Sequence, residues 1–249
     1  MSVLSNLEPK QVFSFFEEIC SIPHASYHEE KISNYCVDFA KKHGLTYYQD
    51  DLKNIIIIKE ATPGYEDEQP LIIQGHLDMV CEKEAGCAID FDTDGLELMI
   101  EGDYIAANGT TLGGDDGIAV AYALAVLSSD EIAHPKLEVV FTVSEEVGME
   151  GASGIDLSML KGRRLLNLDS EEEGIMLAGC AGGAGVECSL PVHRIPASGH
   201  SMTISVSGLK GGHSGAEIDK GRANANILMG RILIGLSKIS DYKLSAFEG

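Results

Sequence analysis

The sequence contains no Cys-x-x-Cys pair; Cys20, Cys36, Cys81, Cys87, Cys180 and Cys188 lie scattered along it. That spacing excludes a zinc ribbon and offers no disulfide framework, so reduced, structural thiols are expected. Long apolar runs are missing as well. No window approaches the roughly 20 apolar residues that span a bilayer, and the opening MSVLSNLEPKQ lacks a basic segment followed by an apolar one. These absences predict a soluble, cytoplasmic protein with no membrane partner. Positive charge is scarce: 18 Lys and Arg against 39 Asp and Glu give a formal net charge of −21. With no local Lys/Arg cluster, such a chain repels a phosphate backbone, so no nucleic-acid partner is expected and cations or small molecules fit better. There are no internal repeats, and low complexity is confined to a Gly/Ala patch near Gly179.

What is present is apolar patterning over 249 residues, enough for one large domain or two modest ones. PKQVFSFFEEIC, residues 9–20, has helical spacing, and so does Tyr27 to His43 before the helix-stopping Gly44. LTYYQD, NIIIIKE and PLIIQG read as strands, DDGIAVAYALAVL as a buried helix, and KLEVVFTV and RRLLNLD as further strands. Strands alternating with helices predict an α/β sheet flanked by helices. A glycine-rich texture begins near Gly179, followed by a strand over SMTISVSG, a glycine loop and a helical pattern in AEIDKGRANANILMGRILIGL. The change of texture predicts domains at 1–187 and 188–249.

Acidic residues and one histidine collect at the ends of these elements. His76 and Asp78 follow PLIIQG, Glu145 and Glu146 follow KLEVVFTVS, Asp169 follows RRLLNL, and Asp115 and Asp116 open the buried helix after a glycine loop. Each has an ordinary reading in isolation: a surface His-Asp pair, a helix cap, a solvated Glu pair, an acidic turn. Together, and in this order, they point to one edge of a sheet, where strand carboxyl ends converge. Buried anions need protons or a cation, and a divalent metal pair is the simplest remedy. Imidazole with carboxylate oxygen suits zinc, manganese or cobalt.

The segments GHLDMV, NGTTLGGDDGIAVA, FTVSEEVGMEGA, LLNLDSEEEG and GLKGGHSG, with the SIPHAS…EE start, resemble the co-catalytic zinc aminopeptidase and carnosinase family. The likeness covers essentially the whole chain and is strongest to the bacterial aminoacyl-histidine (Xaa-His) dipeptidase branch. It implies a zinc-peptidase-like mixed sheet with the start of an α+β lid domain, and metal-dependent hydrolysis of Xaa-His dipeptides such as β-Ala-His. It implies that His76 and Asp169 bind one Zn2+, that Asp115 bridges two, and that Glu146 binds the second, with Mn2+ or Co2+ as substitutes. By the same resemblance Asp78 orients His76, Glu145 is the general base, His213 supports the developing oxyanion, and the Asp115–Asp116 peptide is cis. The remaining histidines, His24, His28, His43, His134, His193 and His200, are read as structural or surface residues. The family's second zinc takes a further histidine from near the carboxyl end of a longer chain. No histidine follows His213 here, which implies a fragment with an incomplete second site, inactive or weakly active alone, and a homodimer when full length. Two alternatives stay open: a tripeptidase or N-acyl amino acid deacylase of the same superfamily, and a non-catalytic metal-binding or dimerising module.

Overall fold

A computed structural model describes residues 2–170, 173–180, 182, 185–212 and 217–248. The chain divides into two compact units, Met1–Met176 and Leu177–Gly249. This division falls earlier in the chain than the boundary expected at residue 187. Leu168 is the last described residue of the first unit to pack against its core. The Gly/Ala patch therefore lies wholly in the second unit.

The first unit opens with α1 (Lys10–Cys20) and α2 (Glu30–Lys42). Val12, Phe15, Phe16 and Ile19 on α1, and Ile32, Cys36 and Phe39 on α2, recur at three- and four-residue spacing and are buried. The helix predicted from Tyr27 starts later, at Glu30, because Tyr27 sits at φ 67, in the left-handed region that breaks a right-handed helix. The remaining elements are β1 (Thr46–Gln49), β2 (Ile55–Lys59), β3 (Leu71–His76), β4 (Leu98–Glu101), β5 (Tyr104–Ala107), α3 (Gly114–Ser128), β6 (Leu137–Thr142), α4 (Glu150–Gly154) and β7 (Arg164–Asn167). Five strands form one mixed sheet in the order β1-β2-β6-β3-β7. β1 and β6 run antiparallel to β2, whereas β3 is parallel to both β6 and β7.

Side-chain alternation divides the sheet into two apolar faces. Ile55, Ile57, Ile73, Val139 and Phe141 face the main core, which they share with α1, α2 and α3. Ile56, Ile72 and Val140 face the other way, under Ile155, Met159 and Leu160. That is why NIIIIKE and PLIIQG are continuous apolar runs: both faces are covered. α3 is buried along most of its length, through Ala119, Val120, Ala121, Ala123, Leu124 and Leu127. The β4–β5 hairpin was not read from the sequence; its signal was the Gly102-Asp103 turn, with Gly102 at φ 63, between two short runs.

In the second unit the described elements are a 3-10 turn at Ile218–Lys220 and α5 (Ala225–Ser237). The Asn224 side chain caps α5, accepting from the Ile227 N–H at 3.0 Å, so the helix is shorter than the pattern starting at AEIDK. The strand predicted over SMTISVSG is absent among the described residues. No described strand in this unit offers it a ladder, and an extended segment without a partner has nowhere to place its backbone hydrogen bonds. No described helix is long and apolar enough to cross a membrane.

Gly75, next to the end of β3, lies against the start of α3. A Cβ there would sit 2.7 Å from Asp116 Oδ2 and 3.2 Å from Ala119 Cβ. Gly75→Ala should therefore destabilise the chain by about 1–3 kcal/mol in urea denaturation, the range for overpacking a filled interior. An unchanged midpoint would show that α3 yields at no cost.

Candidate metal centre

The parallel strands bring their carboxyl ends to one edge. His76 ends β3 and pairs in register with Thr142, which ends β6; Gln74 pairs with Asn167, which ends β7. Beyond Thr142 the chain turns at Ser144, φ 53, into Glu145 and Glu146. Beyond β7 it reaches Asp169. Asp115 enters from the first turn of α3, where its φ −85 and ψ 107 are not helical, and the Asp115–Asp116 peptide is cis, as the resemblance implies.

His76 is 1% exposed. Its Nε2 lies 3.0 Å from Asp115 Oδ1 and 3.9 Å from Glu145 Oε2. Two overlapping groups share it: His76 with Asp115 and Glu146, and His76 with Glu145 and Asp169. Within each group the ligand-type atoms lie within 4.8 Å of one another. The structure thus brings together His76, Asp115, Glu146 and Asp169, the four residues expected to bind metal, and adds Glu145 to the same cluster. His213 lies outside the described residues.

Asp78 does more than face His76. Nδ1 of the imidazole lies 2.9 Å from the Asp78 carbonyl oxygen and 3.4 Å from its carboxylate, so the main-chain contact is the closer one. The carboxylate takes other donors: Oδ1 accepts from the Glu145 N–H at 3.0 Å, and Oδ2 from the Glu146 N–H at 3.2 Å and the Ser26 hydroxyl at 2.8 Å. Sequence reasoning gave no role to three further buried residues, although it had placed Asp116 in the acidic cluster. Asp116, the second acid of its pair, accepts from the His76 N–H at 3.1 Å. Glu29 binds Ser144 through both its N–H and its hydroxyl. Asn54 accepts from the Val143 N–H and donates to the Gly151 carbonyl. Among the other histidines, His24 is buried beside the site, and its carbonyl accepts from the Met79 N–H.

The electrostatics show a cluster short of positive charge. Burial pulls the His76 pKa down, but hydrogen bonds to Asp115 and Asp78 and the charge of Asp116 outweigh it and push the imidazole up to about 11. Burial, then the neighbouring Asp115, raises Glu146 to about 7. Asp116 also rises to about 7, through burial and the charges of Asp169 and Asp115, against the opposing pull of His76. Glu145 is raised too, by burial first. Asp78 is lowered: burial opposes this, but His76, the Glu145 N–H and the Ser26 hydroxyl prevail. One imidazole among several carboxyl groups, of which Glu146 and Asp116 are raised to about 7, is a donor set that fits a divalent cation, since the cation replaces such protons. No cysteine joins either group, so a thiolate site is not indicated among the described residues.

No protein-family model matches the chain. Solved structures identify the fold first. A tripeptidase from Staphylococcus aureus superposes with a TM-score of 0.55 at 23% identity, over 66% of this chain and 44% of that one, and so shares the fold of the mixed sheet. A nearer relationship follows from two further matches. The aminoacylhistidine dipeptidase of Vibrio alginolyticus superposes with a TM-score of 0.71 at 41% identity, over 95% of this chain and 49% of that one. The cytosol non-specific dipeptidase of Escherichia coli (strain K12) is 45% identical over 251 residues, covering 100% of this chain and 52% of its own length. The chain is a homologue of these dipeptidases along its whole length, and it spans about half the length of the relatives it matches.

The raised carboxyls fix the sign of a pH effect. A carboxyl raised by folding binds its proton more tightly in the native state, so its contribution to stability falls as pH climbs from the ordinary carboxylate range through about 7. His76 acts in the same sense: its contribution is complete below its unfolded pKa and is lost as pH rises through about 11. The metal-free chain should lose stability between about pH 5 and pH 8, and Glu146→Gln should flatten part of that decline. Zn2+ should stabilise the chain more at the higher pH, where fewer protons must be displaced. Urea midpoints with chelator and with Zn2+ check both; a zinc effect independent of pH would contradict the assignment.

Proposed function

We propose that the protein of which this chain is part hydrolyses the peptide bond of Xaa-His dipeptides such as β-Ala-His. The observation that supports this most is the convergence of His76, Asp115, Glu145, Glu146 and Asp169 at one sheet edge, in a chain 45% identical to a dipeptidase. His76, Asp115, Glu146 and Asp169 would hold the divalent metal, zinc by preference. When bound, the metal supplies Lewis acidity toward the substrate carbonyl and lowers the pKa of the attacking water to about 7.

The residues of the chain perform the proton transfers. Glu145 takes a proton from the water as its oxygen attacks the carbonyl carbon, and returns that proton to the nitrogen of the leaving amine as the C–N bond breaks. Its raised pKa makes it a stronger base than an exposed carboxylate. Asp78 holds Glu145 and Glu146 by their amides and keeps His76 oriented. His213 donates to the carbonyl oxygen as negative charge develops there. The reading includes a cytoplasmic setting, which the name of the Escherichia coli relative supports, and the full-length homodimer that the resemblance implies.

Initial rates on β-Ala-His, a tripeptide and an N-acetylated amino acid, with zinc or chelator, test the substrate class. Metal-dependent turnover of the dipeptide is expected. Turnover of the acylated amino acid alone would replace this reading with a deacylase. Glu145→Gln should lower kcat by about 100-fold or more, the scale of general-base catalysis, while bound metal, measured by atomic absorption, stays unchanged. Full activity in that variant would remove Glu145 from its role.

A further inference from the structure

Four successive backbone amides run through the turn after β6, and each is accepted by a side chain from a distant part of the sequence. Val143 N–H goes to Asn54 Oδ1 at 3.1 Å, Ser144 N–H to Glu29 Oε1 at 2.8 Å, Glu145 N–H to Asp78 Oδ1 at 3.0 Å and Glu146 N–H to Asp78 Oδ2 at 3.2 Å. The second of these amides lies where the chain reverses, because Ser144 has φ 53 and is not a glycine. The Ser144 hydroxyl donates to the same Glu29 oxygen at 2.9 Å, so one acceptor holds both the backbone and the side chain of the reversing residue. Glu29 is 5% exposed and stands just before α2, where its side chain makes no capping bond to its own helix. Its reach is directed to the turn instead.

The geometry points to Glu29 as a positioning residue for Glu145 and Glu146, acting through Ser144 by the reach of its Oε1 and not by its charge. This rests on the assignment of Glu145 and Glu146 above. Asp78 fixes the amides of the two glutamates, but the direction in which they leave the sheet is set one residue earlier, at Ser144. If Ser144 relaxes to an extended conformation, the following residues no longer meet Asp78.

Two variants separate reach from charge. Glu29→Gln keeps an oxygen at the same distance and loses the charge; Glu29→Asp keeps the charge beside the α2 N-terminus and withdraws the oxygen by one methylene. A residue that served α2 through the helix dipole would tolerate Asp and not Gln. The zinc-loaded chain in its three forms is compared by amide hydrogen exchange at residues 143–146 and by kcat and KM on β-Ala-His. Glu29→Gln should stay within about threefold of the unmodified chain in both. Glu29→Asp should exchange Ser144, Glu145 and Glu146 about tenfold faster and lose about tenfold in kcat with KM nearly unchanged, the scale of one lost hydrogen bond. Any order other than Asp more impaired than Gln overturns the proposal. If the unmodified chain turns over no dipeptide, the exchange contrast alone decides the proposal, because it is read without substrate.

Discussion

The carboxylate of Asp78 joins three stretches of chain that the sequence keeps far apart: the Ser26 loop, the end of β3 and the turn after β6. A carboxylate this deeply buried costs several kcal/mol unless its lone pairs are occupied, and here a hydroxyl, two amides and an adjacent imidazole occupy them. Its two oxygens take the amides of Glu145 and Glu146 separately. The spacing of those two residues is therefore set by the geometry of a single carboxylate, which does not flex as a loop does. The same group that makes burial tolerable also arranges the acidic cluster.

A related device works near the start of β6. Glu138 is fully buried on the face opposite the main core, and its carboxylate accepts from the Lys161 and Gly162 amides at 2.8–2.9 Å. These residues lead into β7, and β7 carries the chain to Asp169. The central strand β6 is thus braced at both ends by acids that receive successive backbone N–H groups. At one end the acids come from other elements and grip the turn after β6; at the other the acid belongs to β6 and grips the approach to β7. Preorganised backbone of this kind allows like charges to be held close together before any cation arrives.

The residues of the acidic edge were legible in the sequence because short apolar runs end where they stand. His76, Glu145, Glu146 and Asp169 all follow such runs, and Asp115 follows a glycine loop that opens a strongly apolar helix. The parallel register then did what the pattern implied and put the ends side by side. Glu29 and Asn54 were not legible, because HEEK and DLKN look like solvated surface. Only tertiary packing buries one acid of HEEK and the amide of DLKN. The delayed start of α2 depends on a left-handed Tyr27, a conformation that composition does not signal. The missing strand over SMTISVSG shows the limit of β-propensity, since a strand exists only with a neighbour.

β7 combines position and exposure in an instructive way. It is four residues long, lies at the edge of the sheet and is exposed throughout, with Leu165 60% accessible. Elements of that kind sit at the low end of the local stability scale and open independently of the core. Yet β7 delivers Asp169, one of the groups that converge on His76. A cation held there would tie this exposed edge strand to the buried end of β3, so that ion binding and the fastening of the edge become a single cooperative event.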